Sequence, residues 1–374
     1  MRRLSVLPAV LTVAALAYTN SAAAAAAPEA PLAPVNTSLL QGNPAAPTSI
    51  DDVLLVPSAS AGQKGAAFEW ADKANTHAYV LWDKFFAAAQ YSQASSATAA
   101  QTIASFGYMS PRLGAGLSLA YRDNTVEGTY VGGDTGNTTT YSQLSQIKLF
   151  ASMSMPSMDI YGSLGWVKPT DNTYDNNQSK YNDRDDSVAL MVGARHAPAI
   201  GAEGLAWNAN GTLGFHYDRY SVNDGSTFKE TIWIAQLYGQ LGYAFFVDGI
   251  NFLPGLDAYF NYANGLSHPD YSLVFGVAPS LAITVPLFEH WTLAGGAKYN
   301  VEQTLVDSYP GSHSTFNDKG LIANTVGQFG LRYARDRWAA EAGVSNGFLN
   351  RGPYFVSGTT GDLLYSLGFT VNLK

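Results

Sequence analysis

The chain contains no cysteine, few charged residues and, beyond its first residues, no long apolar run. Without cysteine there is neither a disulfide framework, as in many small secreted domains, nor a site for a cysteine-linked lipid anchor. No window after the N-terminus approaches the ~20 apolar residues of a membrane-spanning helix, which argues against a helical membrane protein. Charged residues make up only 13% of the sequence. A net charge of −8 argues against a nucleic-acid partner.

The residues that are abundant indicate β-structure with two different faces. The sequence has 36 glycines, 22 tyrosines and 13% aromatic residues, and its mean hydropathy is −0.04. Near-neutral hydropathy with many Gly and Tyr favours strands that alternate between lipid and a polar interior. The alternative for such a composition is a secreted all-β sandwich or solenoid.

The last thirteen residues, 362–374, show the alternation most clearly. One parity is apolar and the other is mostly small or polar. The apolar positions are Leu363, Tyr365, Leu367, Phe369, Val371 and Leu373. Successive side chains of a strand point to opposite faces, so this segment predicts one apolar and one polar wall. Its length suits a tilted strand that crosses a bilayer, which takes about 9–11 residues.

The N-terminal part predicts export and then a region without strands. Residues 1–27 have the basic start, short apolar stretch and alanine-rich end of a signal peptide. Residues 28–76 are rich in Pro and Ala, which predicts a periplasmic extension or, alternatively, a plug folded into the lumen. The barrel is expected to occupy residues 77–374.

Fourteen candidate strands follow, with twelve as the fallback number. They are 77–91, 99–109, 112–123, 139–153, 157–167, 186–196, 206–219, 228–246, 255–262, 271–285, 291–302, 323–334, 337–345 and 362–374. Short and long connections alternate along the chain, as they do between the two sides of a transmembrane barrel. Segment 77–91 alternates poorly, yet the terminal strand is expected to close the barrel against it. Pro279 inside a strand predicts a bulge.

Tryptophans lie at strand ends on the apolar wall and predict two aromatic girdles. The girdle residues are Trp166, Trp207, Trp233, Trp291 and Trp338. With these girdles and the terminal strand, the chain resembles the Gram-negative outer-membrane β-barrels, a porin-like group, although no motif assigns a particular porin family. The resemblance implies an all-β, antiparallel up-and-down transmembrane barrel in the bacterial outer membrane. It also implies contact with outer-membrane lipid, lipopolysaccharide and the barrel assembly machinery. Members of this group usually end in an aromatic residue, whereas this chain ends in Leu373 and Lys374.

The polar wall supplies the candidate functional residues. The predicted pore-lining residues are Arg112, Arg122, Lys148, Asp159, Arg195, His216, Asp218, Asp257, Lys298, Glu302, Arg332 and Glu341. Charges within a membrane protein favour a solute pathway. This predicts a porin-type channel for small hydrophilic solutes. Two alternatives stay open: the opposite charges pair and fill the interior, or the barrel conducts nothing and acts through its long loops as an adhesin or structural surface protein.

An enzyme is not expected. Ser345, Asn346 and Gly347 resemble the serine motif of outer-membrane phospholipases, but that pattern has a histidine where this chain has Gly343. A serine hydroxyl without a neighbouring base is not activated as a nucleophile. No catalytic residue, metal site or cofactor is predicted.

Overall fold

The computed structural model is a closed antiparallel β-barrel of sixteen strands. It describes residues 50–71, 75–92, 100–124, 141–167, 172–176, 179–197, 202–221, 227–265, 271–307, 321–335, 337–344 and 365–372. The elements are α1 (Ile50–Leu55), a 3-10 helix (Pro57–Ser60), β1 (Lys64–Ala71), β2 (Asn75–Trp82), β3 (Phe85–Ser92), β4 (Ala100–Met109), β5 (Leu113–Asn124), β6 (Tyr141–Ser154), β7 (Asp159–Val167), β8 (Asn172–Asn176), β9 (Ser179–His196), β10 (Gly204–Ser221), β11 (Thr227–Val247), β12 (Ile250–Gly265), β13 (Tyr271–Phe288), β14 (Trp291–Asp307), β15 (Leu321–Arg335), β16 (Trp338–Val344) and β17 (Tyr365–Asn372). No described helix is long and apolar enough to cross a membrane.

Strands that follow one another in the chain are hydrogen-bonded neighbours, with one exception. The short strand β8 forms a hairpin on the end of β9, and β7 pairs directly with the rest of β9. The barrel closes where β17 pairs with β1, from Gly65 opposite Asn372 to Ala71 opposite Ser366. Closure leaves no edge strand, so every strand of the wall has a partner on both sides.

The wall is apolar outside, and many of its inner-face positions carry polar side chains, because the predicted alternation matches the pleat. On β11, Leu237 is 62% exposed on the outer face, whereas Gln236 and Gln240 are only 5% and 4% exposed on the inner face. Large exposed apolar side chains occur on every barrel strand for which side chains are described. This arrangement is favourable when lipid surrounds the barrel. Surrounding water would instead favour polar side chains on the outer face.

The predicted strand number of fourteen is wrong by two, and both differences lie near the N-terminus. Segment 77–91 is two strands, β2 and β3, joined by a tight turn in which Asp83 has a φ of 57°. The other thirteen predicted segments each correspond to one barrel strand. The remaining strand, β1, lies in the region predicted as extension or plug, so the barrel begins at Lys64 rather than at residue 77.

The closing partner of the terminal strand is therefore also corrected. β17 pairs with β1 and not with the segment at 77–91. The inner face of β1 carries Gly65 and Ala67, which are small, and one buried carboxylate, Glu69. Such a short strand with small inner residues lacks the strong two-wall contrast that identified the other strands.

One proline and one tight turn show how the strands tolerate local breaks. Pro279 interrupts the pairing of β13 with β14, but the register is the same on both sides of it, so the predicted bulge is wrong there. The connection between β11 and β12 is only Asp248 and Gly249, with φ values of 50° and 80°. Both residues are left-handed, as the tightest hairpin turns require.

Residues 50–60, named the lumenal segment below, pack against the inner wall. Val53 belongs to a buried cluster with inner-face side chains that include Leu81, Phe86, Met109 and Phe150. Leu55 and Val56 are buried with Tyr161 and Met191 of β7 and β9. The predicted signal peptide, 1–27, and residues 28–49 lie outside the described residues.

Candidate functional site

Hydrogen-bonding side chains on the inner wall line up in a row across neighbouring strands. Asp159, Arg195, Asn208, Gln240 and Asp257 lie directly opposite one another on β7, β9, β10, β11 and β12. We call these five residues the polar row. Inner-face positions in register bring such side chains within reach of one another.

Short contacts connect most of the polar row. Arg195 donates from Nε to Asp159 Oδ2 at 3.2 Å. The amide of Asn208 donates to Gln240 Oε1 at 3.4 Å, and the amide of Gln240 donates to Asp257 Oδ1 at 3.3 Å. Arg195, Asn208 and Asp257 are each at most 3% exposed. A buried charge is stable only with partners, and these contacts supply them.

Lys298 extends the polar row past one further strand. It forms an ion pair with Asp257, reaching across β13 from β14. The β13 residue opposite Asp257 is Ala278. The methyl side chain of Ala278 is small and leaves the space between the two strands open. The long side chain of Lys298 therefore passes over Ala278 and reaches the carboxylate of Asp257.

A second row contains the tyrosines and lies one step nearer the long connections. Its members are Tyr161, Asn210, Tyr238, Tyr259 and Glu302. Tyr238 donates to Asp257 Oδ2 at 3.3 Å, and Asn210 donates to the Tyr161 oxygen at 3.4 Å. Tyr161 donates to Asn208, and Tyr259 donates to Glu302. The tyrosine row is thus bonded to the polar row at both Asn208 and Asp257.

Two tyrosines reach their partners by lying across a glycine of the adjacent strand. A Cβ at Gly193 would lie 2.5 Å from Tyr161 Cζ, and one at Gly276 would lie 2.3 Å from Tyr259 Cζ. Only glycine leaves room for a ring at this distance. The rings therefore lie flat against the wall.

The remaining inner-wall groups lie at other heights. His216 Nδ1 and Ser187 Oγ are 2.8 Å apart, nearer the long connections. Ser187 is only 1% exposed, so this serine is closed to a substrate in the structure. Near the short turns, Arg332 Nε lies 3.5 Å from Glu341 Oε1.

Most of the predicted pore-lining residues face the interior, with one correction. Arg112 is exposed in the turn before β5, where its carbonyl accepts a hydrogen bond from Ser154 N, and so it does not lie on a strand of the wall. The sequence predicts this strand from residue 112, whereas β5 begins one residue later, at Leu113. Lys148 is half-buried on the same face as Phe150. The side chains of Arg122 and Asp218 lie outside the described residues.

Sequence reasoning did not select Asn208, Gln240, Gly193 and Gly276 as site residues. Asn208 and Gln240 are neutral amides on the polar parity, and nothing in one strand distinguishes them from other polar positions. Their roles follow from the register between strands. A glycine directly opposite an inward-facing tyrosine would identify this site in a sequence. Recognising that pair also requires the register between the two strands.

The tryptophans lie on the outer face, as the girdle requires. All seven, the five predicted ones with Trp70 and Trp82, share the outward parity of their strands. Trp291, Tyr333, Trp338 and Phe369 form a continuous chain of rings, with centroid distances of 4.9, 5.2 and 6.1 Å. Rings with an apolar body and a polar tip favour the boundary between lipid and water.

Comparison with known proteins finds no matching protein-family model and no matching curated protein. Among solved structures, the ferric preacinetobactin receptor BauA of Acinetobacter baumannii is 10% identical, with a TM-score of 0.44, and the match covers 76% of this chain and 54% of the receptor. A bacterial polysaccharide outer membrane secretin is 13% identical, with a TM-score of 0.43, covering 83% of this chain and 98% of that one. The TodX monoaromatic hydrocarbon channel is 9% identical, with a TM-score of 0.39, covering 87% and 95%.

These likenesses are too distant to transfer a function. The chain also spans only about half the length of the receptor that it matches. The barrel's own features carry the assignment instead: sixteen closed strands, an apolar outer face with tryptophans, and a polar interior. This combination is stable only where lipid surrounds the wall. The chain is a transmembrane β-barrel of the outer-membrane type.

Proposed function

We propose that the barrel is an outer-membrane channel of porin type that lets small hydrophilic solutes diffuse. The observation that carries this proposal is the polar row with Lys298, a line of donors and acceptors across neighbouring strands of the inner wall. Paired groups of both signs can exchange hydrogen bonds with water and with a passing solute.

The pairing of charges favours solutes without a strong charge preference. Asp159 with Arg195, Asp257 with Lys298, and Glu341 with Arg332 each join opposite signs. A pore lined by compensated pairs has a small net field. Weak ion selectivity is therefore expected.

Two measurements test the channel. Refolded protein in planar bilayers should give discrete conductance steps, and proteoliposomes should swell in small sugars but not in large oligosaccharides. If the protein is folded, as judged by its heat-modifiable migration on electrophoresis, and gives no conductance above the lipid background, this result would contradict the proposal.

The second candidate is a barrel that does not conduct and acts through its long connections as an adhesin or structural surface protein. One observation favours it: Arg195, Asp257 and Glu341 are at most 5% exposed, so neighbouring atoms cover these three charged groups of the inner wall. Proteoliposomes that stay impermeable, together with binding of the intact protein to cells or matrix, would support this candidate over the channel.

We also infer that the outer face contacts outer-membrane lipid and lipopolysaccharide, and that the barrel assembly machinery inserts the chain. The support is the apolar outer face and the outward aromatic residue of β17, Phe369, which is 45% exposed and stacks on Trp338. If β17 carries the assembly signal through this ring, Phe369→Ala should lower the folded fraction in the outer membrane while leaving in vitro refolding efficient.

A further inference from the structure

The inner wall has an apolar side in addition to the polar rows. Leu81, Phe86, Met109 and Phe150, on β2 to β6, are buried on the inner face. Apolar side chains that line a water-filled lumen would be unfavourable if they stayed uncovered. The lumenal segment covers them.

Apolar contacts hold the lumenal segment in this place. Val53, Leu55 and Val56 are only 2%, 3% and 0% exposed. Val53 packs on the apolar side of the wall, and Leu55 and Val56 pack on Tyr161 and Met191. The segment therefore also covers the tyrosine ring that begins the tyrosine row.

Polar contacts fix the segment at the short-turn end of the lumen. Ser58 Oγ lies 2.8 Å from the hydroxyls of both Ser152 and Ser154, at the end of β6. The Ser58 amide donates to Ser152 Oγ at 3.2 Å. A Cβ at Gly114 would lie 2.6 Å from Ser58 N, so the segment lies directly on the backbone of β5.

The link to the barrel wall is short and is itself bonded. Gly62 N donates to Asp83 O at 3.1 Å, and Asp83 N donates to Gln63 O at 3.2 Å, which ties the link to the turn between β2 and β3. The next residue, Lys64, begins β1. The position of the segment is thus fixed at its C-terminal end by the closing strand.

We propose that the lumenal segment is a plug that closes part of the lumen at the short-turn end, and that its release from the wall opens the pathway along Tyr161 and the polar row. This inference rests on the proposed channel function. The described contacts that hold the plug are non-covalent, so an incoming partner or solute can displace it without breaking the barrel.

The first test is a disulfide, which is clean because the chain has no cysteine. In the Ser58→Cys/Ser152→Cys double variant, membranes treated with a copper–phenanthroline oxidant should form the bond, since the two hydroxyls are 2.8 Å apart. The matched control, Ser105→Cys/Ser118→Cys, joins two wall strands, β4 and β5, whose hydroxyls are 2.7 Å apart. Failure of the first pair to form, while the control pair forms, would overturn the placement.

The second test compares conductance. Deleting residues 50–60 should raise single-channel conductance about twofold or more, because pore width limits passage. Val56→Asp, which puts a charge into the apolar contact with Tyr161, should raise it without shortening the chain. Ser157→Asp, in an exposed turn, serves as the control and should leave it unchanged. The oxidised Ser58→Cys/Ser152→Cys protein should conduct less than the same protein after reduction, whereas oxidation should not change the wall control.

The outcomes separate the plug from the channel. Conductance that is equal in the parent, the deletion and Val56→Asp, with all three folded, would reject the plug and leave the channel standing. A parent that conducts, together with a deletion and a Val56→Asp variant that conduct more, would support both proposals. Silence in all of the folded variants would reject the channel and, with it, the regulatory role of the segment.

Discussion

At the scale of single residues, some hydrogen bonds of the inner wall depend on glycines, because a glycine leaves room for a tyrosine ring to lie across it. Tyr161 and Tyr259 cross Gly193 and Gly276 to reach Asn208 and Glu302 on the strands beyond. Each tyrosine therefore connects three strands, which a side chain that pointed straight into the lumen could not do. The glycine is as necessary to this contact as the phenol.

Gly276→Ala should push the Tyr259 ring off the wall and break its hydrogen bond to Glu302, since the new methyl would lie 2.3 Å from Cζ. We expect a loss of about 1–3 kcal/mol of unfolding free energy, measured by urea titration in bilayers. The matched control is Gly239→Ala, where nothing lies within 4 Å of the new methyl.

In a double-mutant cycle with Tyr259→Ala, most of the cost of Gly276→Ala should disappear, because the clash has been removed. Equal costs of Gly276→Ala with and without the tyrosine would contradict the proposed contact.

Lys298→Met should leave the Asp257 carboxylate, 3% exposed, without its cation. Loss of one partner of a buried pair costs about 3 kcal/mol. The uncompensated charge should also shift the reversal potential toward cation selectivity. Adding Asp257→Asn should reverse that shift. Lys84→Met, at an exposed turn, is the control. An unchanged reversal potential in Lys298→Met would contradict the placement of the Asp257–Lys298 pair in the pathway.

At the scale of elements, each strand has one face for lipid and one for the interior. On β13, Leu281 is 49% exposed, whereas Ala282 is 1% exposed. A shift of one residue would exchange these faces, so the register is strongly specified. The burial of alternate residues on β13 therefore fits a single register.

Leu281→Arg should therefore destabilise the barrel by about 2–4 kcal/mol in bilayers, because the guanidinium would lie in hydrocarbon. Thr284→Arg, on the inner face of the same strand, should cost much less. Unfolding titrations of the two variants side by side would decide this, and a Leu281→Arg protein as stable as the parent would contradict the outward assignment.

At the scale of the whole molecule, closure depends on the N-terminal strand. β1 pairs with both β17 and β2. Without it, β17 and β2 would be open edges inside a bilayer, where unpaired backbone groups are very unfavourable. The lumenal segment and the closing strand are consecutive in the chain, so the same stretch fills part of the lumen and completes the wall.

Deletion of residues 28–71 should consequently abolish the compact, heat-modifiable form on electrophoresis. Deletion of residues 28–49 should retain it, since that variant keeps β1. A barrel that began at residue 77 would survive both deletions, so a folded 28–71 deletion would contradict the closure by β1.

The sequence predicted the all-β barrel, thirteen of the strands and the outward tryptophans because these depend on a local period of two. It also predicted the inner charges Asp257 and Lys298 as residues of one face. Their pairing stayed open because they are 41 residues apart and on strands that are not adjacent. The contact exists only once three strands are in register over Ala278.

The sequence by itself thus determined which face of each clear strand meets lipid, since a side chain's face follows from its parity alone. Only the tertiary structure decided the strand number, the place of β1 and the contents of the lumen. β1 has weak alternation and becomes a strand because β17 and β2 both need a partner. The lumenal segment becomes buried because it shields the apolar side of the inner wall from water. Neither the pairing of β1 nor this burial follows from a local sequence pattern, because both depend on strands that are distant in the chain.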